Sequence, residues 1–208
     1  MNDASDIELL SRWRDGNSAA GSKLVERHFS TVYRFFRRKL EDAELAKELS
    51  QKTFLTCMEA RDRLREASRF RAFLLGIARN LLLRHFRAAG KAAEREAATP
   101  VDPAVTPTSP SRVVAMQEEQ ELLLRALRRL PLDLQITLEL HYWEQMTTAE
   151  IGDVLEVQQG TVKWRLSRAR DLLREEIEKI STSAALVQST VGDLDRWARS
   201  LRNLVDEE

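Results

Sequence analysis

Apolar residues recur at three- and four-residue intervals along most of the chain. That spacing marks one face of a helix with 3.6 residues per turn, so the fold class expected is all-α. Helices are expected near 6–15, 19–39, 43–60 and 68–88, and again near 113–129, 132–144, 148–155 and 160–179. Gly16 ends the first, Asp42 caps the third, Pro131 separates 113–129 from 132–144, and Thr147 or Thr148 caps the helix after it. A last amphipathic segment spans 184–205, where Val187, Val191, Leu194, Ala198, Leu201 and Val205 alternate four and three apart. This heptad-like seam is suited to packing against another helix.

The periodicity fails once. PVDPAVTPTSP, residues 100–110, holds four of the five prolines, three Ser/Thr and no aromatic residue. Such a stretch cannot bury a core and reads as an extended, flexible linker. The expected organisation is two small helical domains, 1–91 and 113–180, joined by a Pro-rich linker over 92–112 and followed by a C-terminal helical extension over 181–208. A length of 208 residues at 43% hydrophobic content suffices for two small cores.

Composition removes several function classes. Cys57 is the one cysteine, which excludes an internal disulfide framework and agrees with a reducing compartment. The N-terminal MNDASDIELL is acidic and lacks the apolar run of a signal peptide. No stretch approaches the ~18 apolar residues of a membrane span. A soluble, cytoplasmic protein is expected. His28, His85 and His141 lack metal-ligand spacing. There is no P-loop, no Gly-rich nucleotide motif and no plausible nucleophile–base pair, so neither cofactor, metal nor catalytic residue is expected.

The formal net charge of zero conceals a pattern. Residues 61–91 carry nine Lys/Arg against two acids, and residues 163–174 carry five against one. From Glu175 onward eight acids face four basic residues. Within 148–179 a short helix, a tight polar turn at 156–159 and a long basic helix have the layout of a helix-turn-helix. Gly152 is small where two helices would cross closely. On the long helix Val162, Leu166, Ala169, Leu173 and Ile177 form one apolar stripe, and Lys163, Trp164, Ser167, Arg168, Arg170 and Arg174 point away from it. A buried back and a basic front suit the major groove of DNA. A solvated face on an ordinary helical hairpin is the alternative. Trp164 weighs against that alternative, since a large aromatic on the outward face should cover something.

The basic helix 68–88 divides differently. Phe70, Phe73, Leu74, Ile77 and Leu81 form one apolar stripe; Leu75, Leu82 and Phe86 form a second, about 140° away. The remaining sector holds Ala72, Gly76, Arg79, Asn80, Leu83 and Arg87, small residues beside two cations and an amide. Arg can neutralise phosphate and Asn can hydrogen-bond a base edge. Alternatively, Asn80 satisfies a neighbouring loop backbone. The preceding basic loop, 63–69, could cradle a strand.

At these residues the chain resembles bacterial RNA polymerase sigma factors of the sigma-70 family, specifically the small two-domain extracytoplasmic-function (ECF) type. Leu130-Pro131, Glu150-Ile151, Leu155, Gly160-Thr161-Val162-Lys163, Arg165-Leu166 and Arg168-Ala169-Arg170 match the second-domain pattern of that family. Glu48-Leu49-Ser50-Gln51-Lys52-Thr53-Phe54 is similar to its DLVQETF helix, and Phe70-Arg71-Ala72-Phe73-Leu74 with Ile77-Ala78-Arg79-Asn80 to its FRAWL…IARN helix. The match runs in order over roughly 6–178, with the linker in place. Departures are Trp164 where Ser is frequent, Ser167 where His is frequent, Glu156 for the turn glycine, Lys47 and Lys52 for acids, and Arg84 where Asp is frequent.

The resemblance implies a promoter-specificity subunit with two partners, core RNA polymerase and promoter DNA. Glu48, Gln51, Lys52 and Phe54 would bind the polymerase clamp helices. Arg65, Ser68, Arg69, Arg71, Arg79, Asn80 and Arg87 would capture the melted non-template strand of the −10 element. Thr161, Lys163, Trp164, Arg165, Ser167, Arg168 and Arg170 would read the −35 element as duplex, with the second domain also bound to the polymerase flap tip. The family commonly adds an anti-sigma factor as a third partner. The competing expectation is a stand-alone helix-turn-helix regulator acting without polymerase, which would need a sensor or dimerisation domain in place of the first module. Residues 181–208 lie beyond the family pattern, and either cap a core or restrain DNA binding.

Overall fold

The computed structural model describes residues 4–40, 42–64, 69–93 and 122–180. Most of the expected linker, the segment 184–205, and Arg65 and Ser68 lie outside the described residues. All regular structure among the described residues is helical, and the chain divides into two compact units, 1–98 and 99–208.

The first unit contains α1 (Asp6–Arg14), α2 (Ser18–Arg37), α3 (Ala43–Ala60) and α4 (Phe70–Ala93), with a 3-10 turn, Arg61–Arg63, after α3. Local chemistry sets the starts. Ser5 and Glu8 form a reciprocal capping box on α1, Asn17 caps α2, and Asp42 accepts from the Glu44 and Leu45 amides at α3. Gly16, at φ +93°, reverses the chain between α1 and α2. The long helix α2 touches α1, α3 and α4. Its Leu24, Val32, Phe35 and Phe36 are buried among Leu9, Leu10 and Trp13 of α1, Leu49, Phe54 and Cys57 of α3, and Leu74, Leu75 and Leu82 of α4. A Cβ at position 21 would fall on the Trp13 indole, so α1 and α2 approach as they do because that residue is glycine.

Helix α4 corrects the sequence reading twice. It continues to Ala93, past the expected end at 88 and into the expected linker. Gly90 does not stop it; a helical glycine costs only about 1 kcal/mol and its alanine-rich neighbours favour helix. Its core face is also one stripe rather than two. Phe70, Leu74, Leu75, Ala78 and Leu82 are buried, Phe73, Ile77 and Leu81 are half-buried, and Phe86 is exposed. Ala78, roughly 80° round from Phe70, lies at the middle of the buried arc. The larger apolar residues alone divide this face in two, because Ala78 at its centre has too little side chain to mark it.

The second unit contains a helical stretch over 122–128 (α5), then α6 (Leu132–Tyr142), α7 (Thr148–Leu155) and α8 (Gln159–Ile180). Every residue of α6 from Leu134 to Leu140 is buried, polar Gln135, Thr137 and Glu139 included. A helix covered on all sides needs no amphipathic stripe, and α6 packs on both α7 and α8. It stops two residues before the expected 144. Gln145 turns the chain at φ +53°, and the Met146 amide donates to Leu140 O. No helix of the described residues is long and apolar enough to cross a membrane.

Candidate nucleic-acid interface

Helix α7 begins at a second capping box. The Thr147 hydroxyl accepts from the Glu150 amide, and Glu150 accepts from the Thr147 amide at 2.7 Å. It ends at Glu156, which adopts the left-handed conformation (φ +55°, ψ +43°) where the family pattern has glycine. The Val157 amide then donates to Gly152 O at 3.0 Å, the bond of a Schellman-type termination. A Cβ on Gly152 would stand 2.8 Å from Val157 O. The close approach expected at Gly152 is therefore to the turn backbone, and only secondarily to a neighbouring helix. This turn aims α8.

The back of α8 is the stripe read from the sequence: Val162, Leu166, Ala169, Leu173 and Ile177 are all buried. Lys163, Trp164, Ser167 and Arg168 are exposed together on the opposite side, with Trp164 at 63% of its full accessibility. Arg165 and Arg170 do not share that front. Arg165 Nη2 lies 3.1 Å from Asp133 Oδ2 at the start of α6, and Arg170 Nε donates to the Tyr142 hydroxyl at 2.7 Å at its end. The two cations clamp α8 to both ends of α6. Thr161 is half-buried in the first turn, and Gln159 donates to the Thr148 hydroxyl of α7 at 2.7 Å. The sequence missed Asp133 and Tyr142 because their partners lie about 30 residues away and follow no periodicity.

Charge is graded along α8. At its far end a hydrogen bond from Lys179 holds the Glu176 carboxyl below the usual carboxylate range, with further help from the Lys179 and Arg129 charges. Lys179 is raised by the same pair. Arg168 has Glu175 only at 3.9 Å. Positive charge is thus concentrated in the first turns, around Trp164.

In the first unit, α3 presents Glu48, Gln51 and Lys52 to solvent, with Lys52 Nζ 2.5 Å from Glu48 Oε1. Phe54, expected on this face, is instead 7% exposed and stacks near Phe29, with ring centroids 6.2 Å apart. The exposed apolar side chains of α3 are Leu55 (58%) and Met58 (45%). Leu55 follows Phe54 directly, so a turn of 100° exchanges buried for exposed. Cys57 is buried, which pushes its thiol up to about 11 and makes it a core residue.

On α4, Asn80 and Arg87 are exposed, Arg71 and Arg79 are half-buried, and Arg69 is exposed in the turn before the helix. Arg79 Nη1 donates to Asn80 Oδ1 at 3.5 Å. Ala72 and Gly76 are half-buried beside them. At about 280° from Phe70, Asn80 lies nearly opposite the Ala78-centred core. Among the described residues no group of three His, Cys, Asp or Glu side chains converges on a metal-sized site.

Comparison with known proteins matches this geometry to a family. The Sigma-70 region 2 model matches residues 24–92, and the Sigma-70 region 4 model matches residues 120–173. The RNA polymerase sigma factor CarQ of Myxococcus xanthus is 32% identical over 180 residues, covering 85% of this chain and 99% of CarQ. The ECF RNA polymerase sigma factor BldN of Streptomyces coelicolor is 28% identical, over 78% of this chain and 62% of BldN. Among solved structures, the sigma factor RpoE from Bartonella quintana, crystallised with the anti-sigma factor NepR, shares the fold at TM-score 0.61 and 19% identity, over 77% of this chain and 98% of that one. The chain belongs to the extracytoplasmic-function sigma factors of the sigma-70 family.

Proposed function

We propose that this sigma factor recruits core RNA polymerase to promoters by reading the −35 element as duplex through its second unit and the −10 element as a melted strand through its first. The observation that carries the reading is the front of α8. Lys163, Trp164, Ser167 and Arg168 are exposed on a helix whose back is wholly buried and whose flanks are clamped to α6. Lys163 and Arg168 supply phosphate attraction, while Ser167 and Trp164 supply a hydroxyl and an apolar plane for base edges. Arg165 and Arg170 orient the helix.

In the first unit, Arg69, Arg71, Arg79, Asn80 and Arg87 offer cations and an amide around small residues, the combination that single-stranded DNA requires. An extruded base forfeits a few kcal/mol of stacking, which contacts such as the Asn80 amide offset. Leu55 and Met58, exposed on α3 along with Glu48, Gln51 and Lys52, form the surface we assign to the polymerase clamp, while Phe54 is buried in the core. An anti-sigma factor is the further partner in this reading, on the precedent of the Bartonella complex.

Reconstituted transcription tests the proposal. Added to core polymerase, the chain should form a holoenzyme and start transcription at sites sharing a −35 and a −10 motif. Failure to form a holoenzyme would overturn it. Polymerase-independent binding to duplex operators would favour a stand-alone helix-turn-helix regulator instead.

A further inference from the structure

The described chain between α3 and α4 is held by a residue from outside the matched family region. Arg14, the last residue of α1, is part-buried, and its Nη2 donates to two backbone carbonyls, Arg61 O at 2.8 Å and Leu64 O. Beside it the Arg61 guanidinium lies 5.5 Å from the Trp13 ring centroid. Leu64 is buried, and its amide donates to Arg61 O at 3.4 Å. Arg14 thus bridges two carbonyls of one short stretch, 61–64, which is further anchored by the Arg61 guanidinium over Trp13 and by the buried Leu64 side chain.

The chemistry is that of a helix end. Arg61 O, in the 3-10 turn that follows α3, has a local partner only in the Leu64 amide at 3.4 Å, and Leu64 O stands just past the turn where the chain is extended, so both can accept a further donor. A guanidinium is the side chain best shaped to meet two such oxygens at once. Arg14 therefore fixes where the backbone stands at Leu64, the point from which the chain runs on toward Arg69 and the exposed face of α4. Nothing in α1 itself needs this contact. Its own end is closed by the Asp15 amide on Ser11 O and Trp13 O, and by the left-handed Gly16.

We infer that Arg14 is a positioning residue for single-strand binding: its bonds to Arg61 O and Leu64 O fix the backbone at 61–64, which precedes in sequence the helix that carries the Asn80 face. This deepens the proposed reading of the −10 element and rests on it. In this reading Arg14 acts through the carbonyls it holds rather than by touching the strand. Its effect should therefore be confined to the strand that meets the first unit.

The test compares three holoenzymes, with wild-type, Arg14→Gln and Arg14→Lys chains, at a promoter fixed by start-site mapping. The probe is a fluorescent non-template oligonucleotide covering the −10 element, set against a duplex covering only the −35 element. Arg14→Gln should weaken oligonucleotide binding about tenfold, the scale of a lost charge-assisted hydrogen bond. Arg14→Lys, which keeps the charge and can reach one carbonyl, should fall between. Duplex binding and holoenzyme assembly should not change. Equal loss on both probes, or loss of assembly alone, would show a merely structural role and overturn the inference. Unchanged oligonucleotide binding in Arg14→Gln would overturn it as well. If the wild-type holoenzyme fails to bind the oligonucleotide, the strand-capture reading itself falls, and the inference with it. Deuterium uptake over 61–64 gives a second measure, expected to rise in Arg14→Gln while the buried segments of α2 stay protected.

Discussion

A methyl group decides the turn at Gly152. Its Cβ would stand 2.8 Å from a backbone oxygen, which cannot swing aside as a side chain could. Gly152→Ala should therefore destabilise the chain by about 1–3 kcal/mol, the usual cost of overpacking, as read by chemical denaturation. Glu156→Gly should act oppositely. A left-handed non-glycine residue carries roughly 1 kcal/mol of strain, so relieving it should raise the denaturation midpoint. Cys57 supplies a pH dependence. Burial raises its thiol from 9.0 to about 11, so the folded state keeps a proton that the unfolded state releases first. Stability from this group is complete below pH 9 and is lost as pH rises through the folded value. Thiol reagents at neutral pH should label Cys57 only when the chain unfolds, which mass spectrometry after pulsed alkylation would read. Of these residues, the sequence marked Gly152 and Glu156 as unusual through spacing and composition. It could not say that the obstacle at Gly152 is a carbonyl, because that depends on the left-handed turn itself.

Element by element, legibility follows how one-sided a helix is. The long helix α8 has one polar face and one apolar face, so its five buried residues were readable at 100° per residue. On α4 the same method misplaced the core, because Ala78 at its centre has too little side chain to count. In α6 polar and apolar residues alternate one by one from Leu132 to His141, a period-two pattern that marks no helical face, so periodicity says nothing about its orientation. The α3 result is instructive in the same way: the family motif ends on Phe54, while exposure passes to Leu55 and Met58. Leu55→Asp should therefore weaken holoenzyme assembly at least tenfold while leaving the fold intact, whereas Phe54→Asp should unfold the unit. Core-binding titrations beside circular dichroism separate the two. For α8, Arg168→Ala should lower −35 duplex affinity and reduce the salt slope by about 0.9, one phosphate contact. Trp164→Ser should instead alter which −35 sequences are selected, with the salt slope unchanged.

The two units have separate cores, each closed by its own helices. Defects in sites that share no partners add in free energy. The double variant Asn80→Ala, Arg168→Ala should then lose affinity for a promoter carrying both elements by about the product of the two single losses, as holoenzyme titration would read. Helix α4 runs on to Ala93, through residues whose sequence looks like the start of a linker. The opposite boundary carries a practical consequence. The region 2 match begins at residue 24, yet Leu9, Leu10 and Trp13 are core and Arg14 holds the end of α3. A chimera that exchanged only the matched segment with a relative would graft a bundle onto a foreign first helix. Any domain swap in this family member must carry α1 along, or it will test a missing staple rather than a promoter preference.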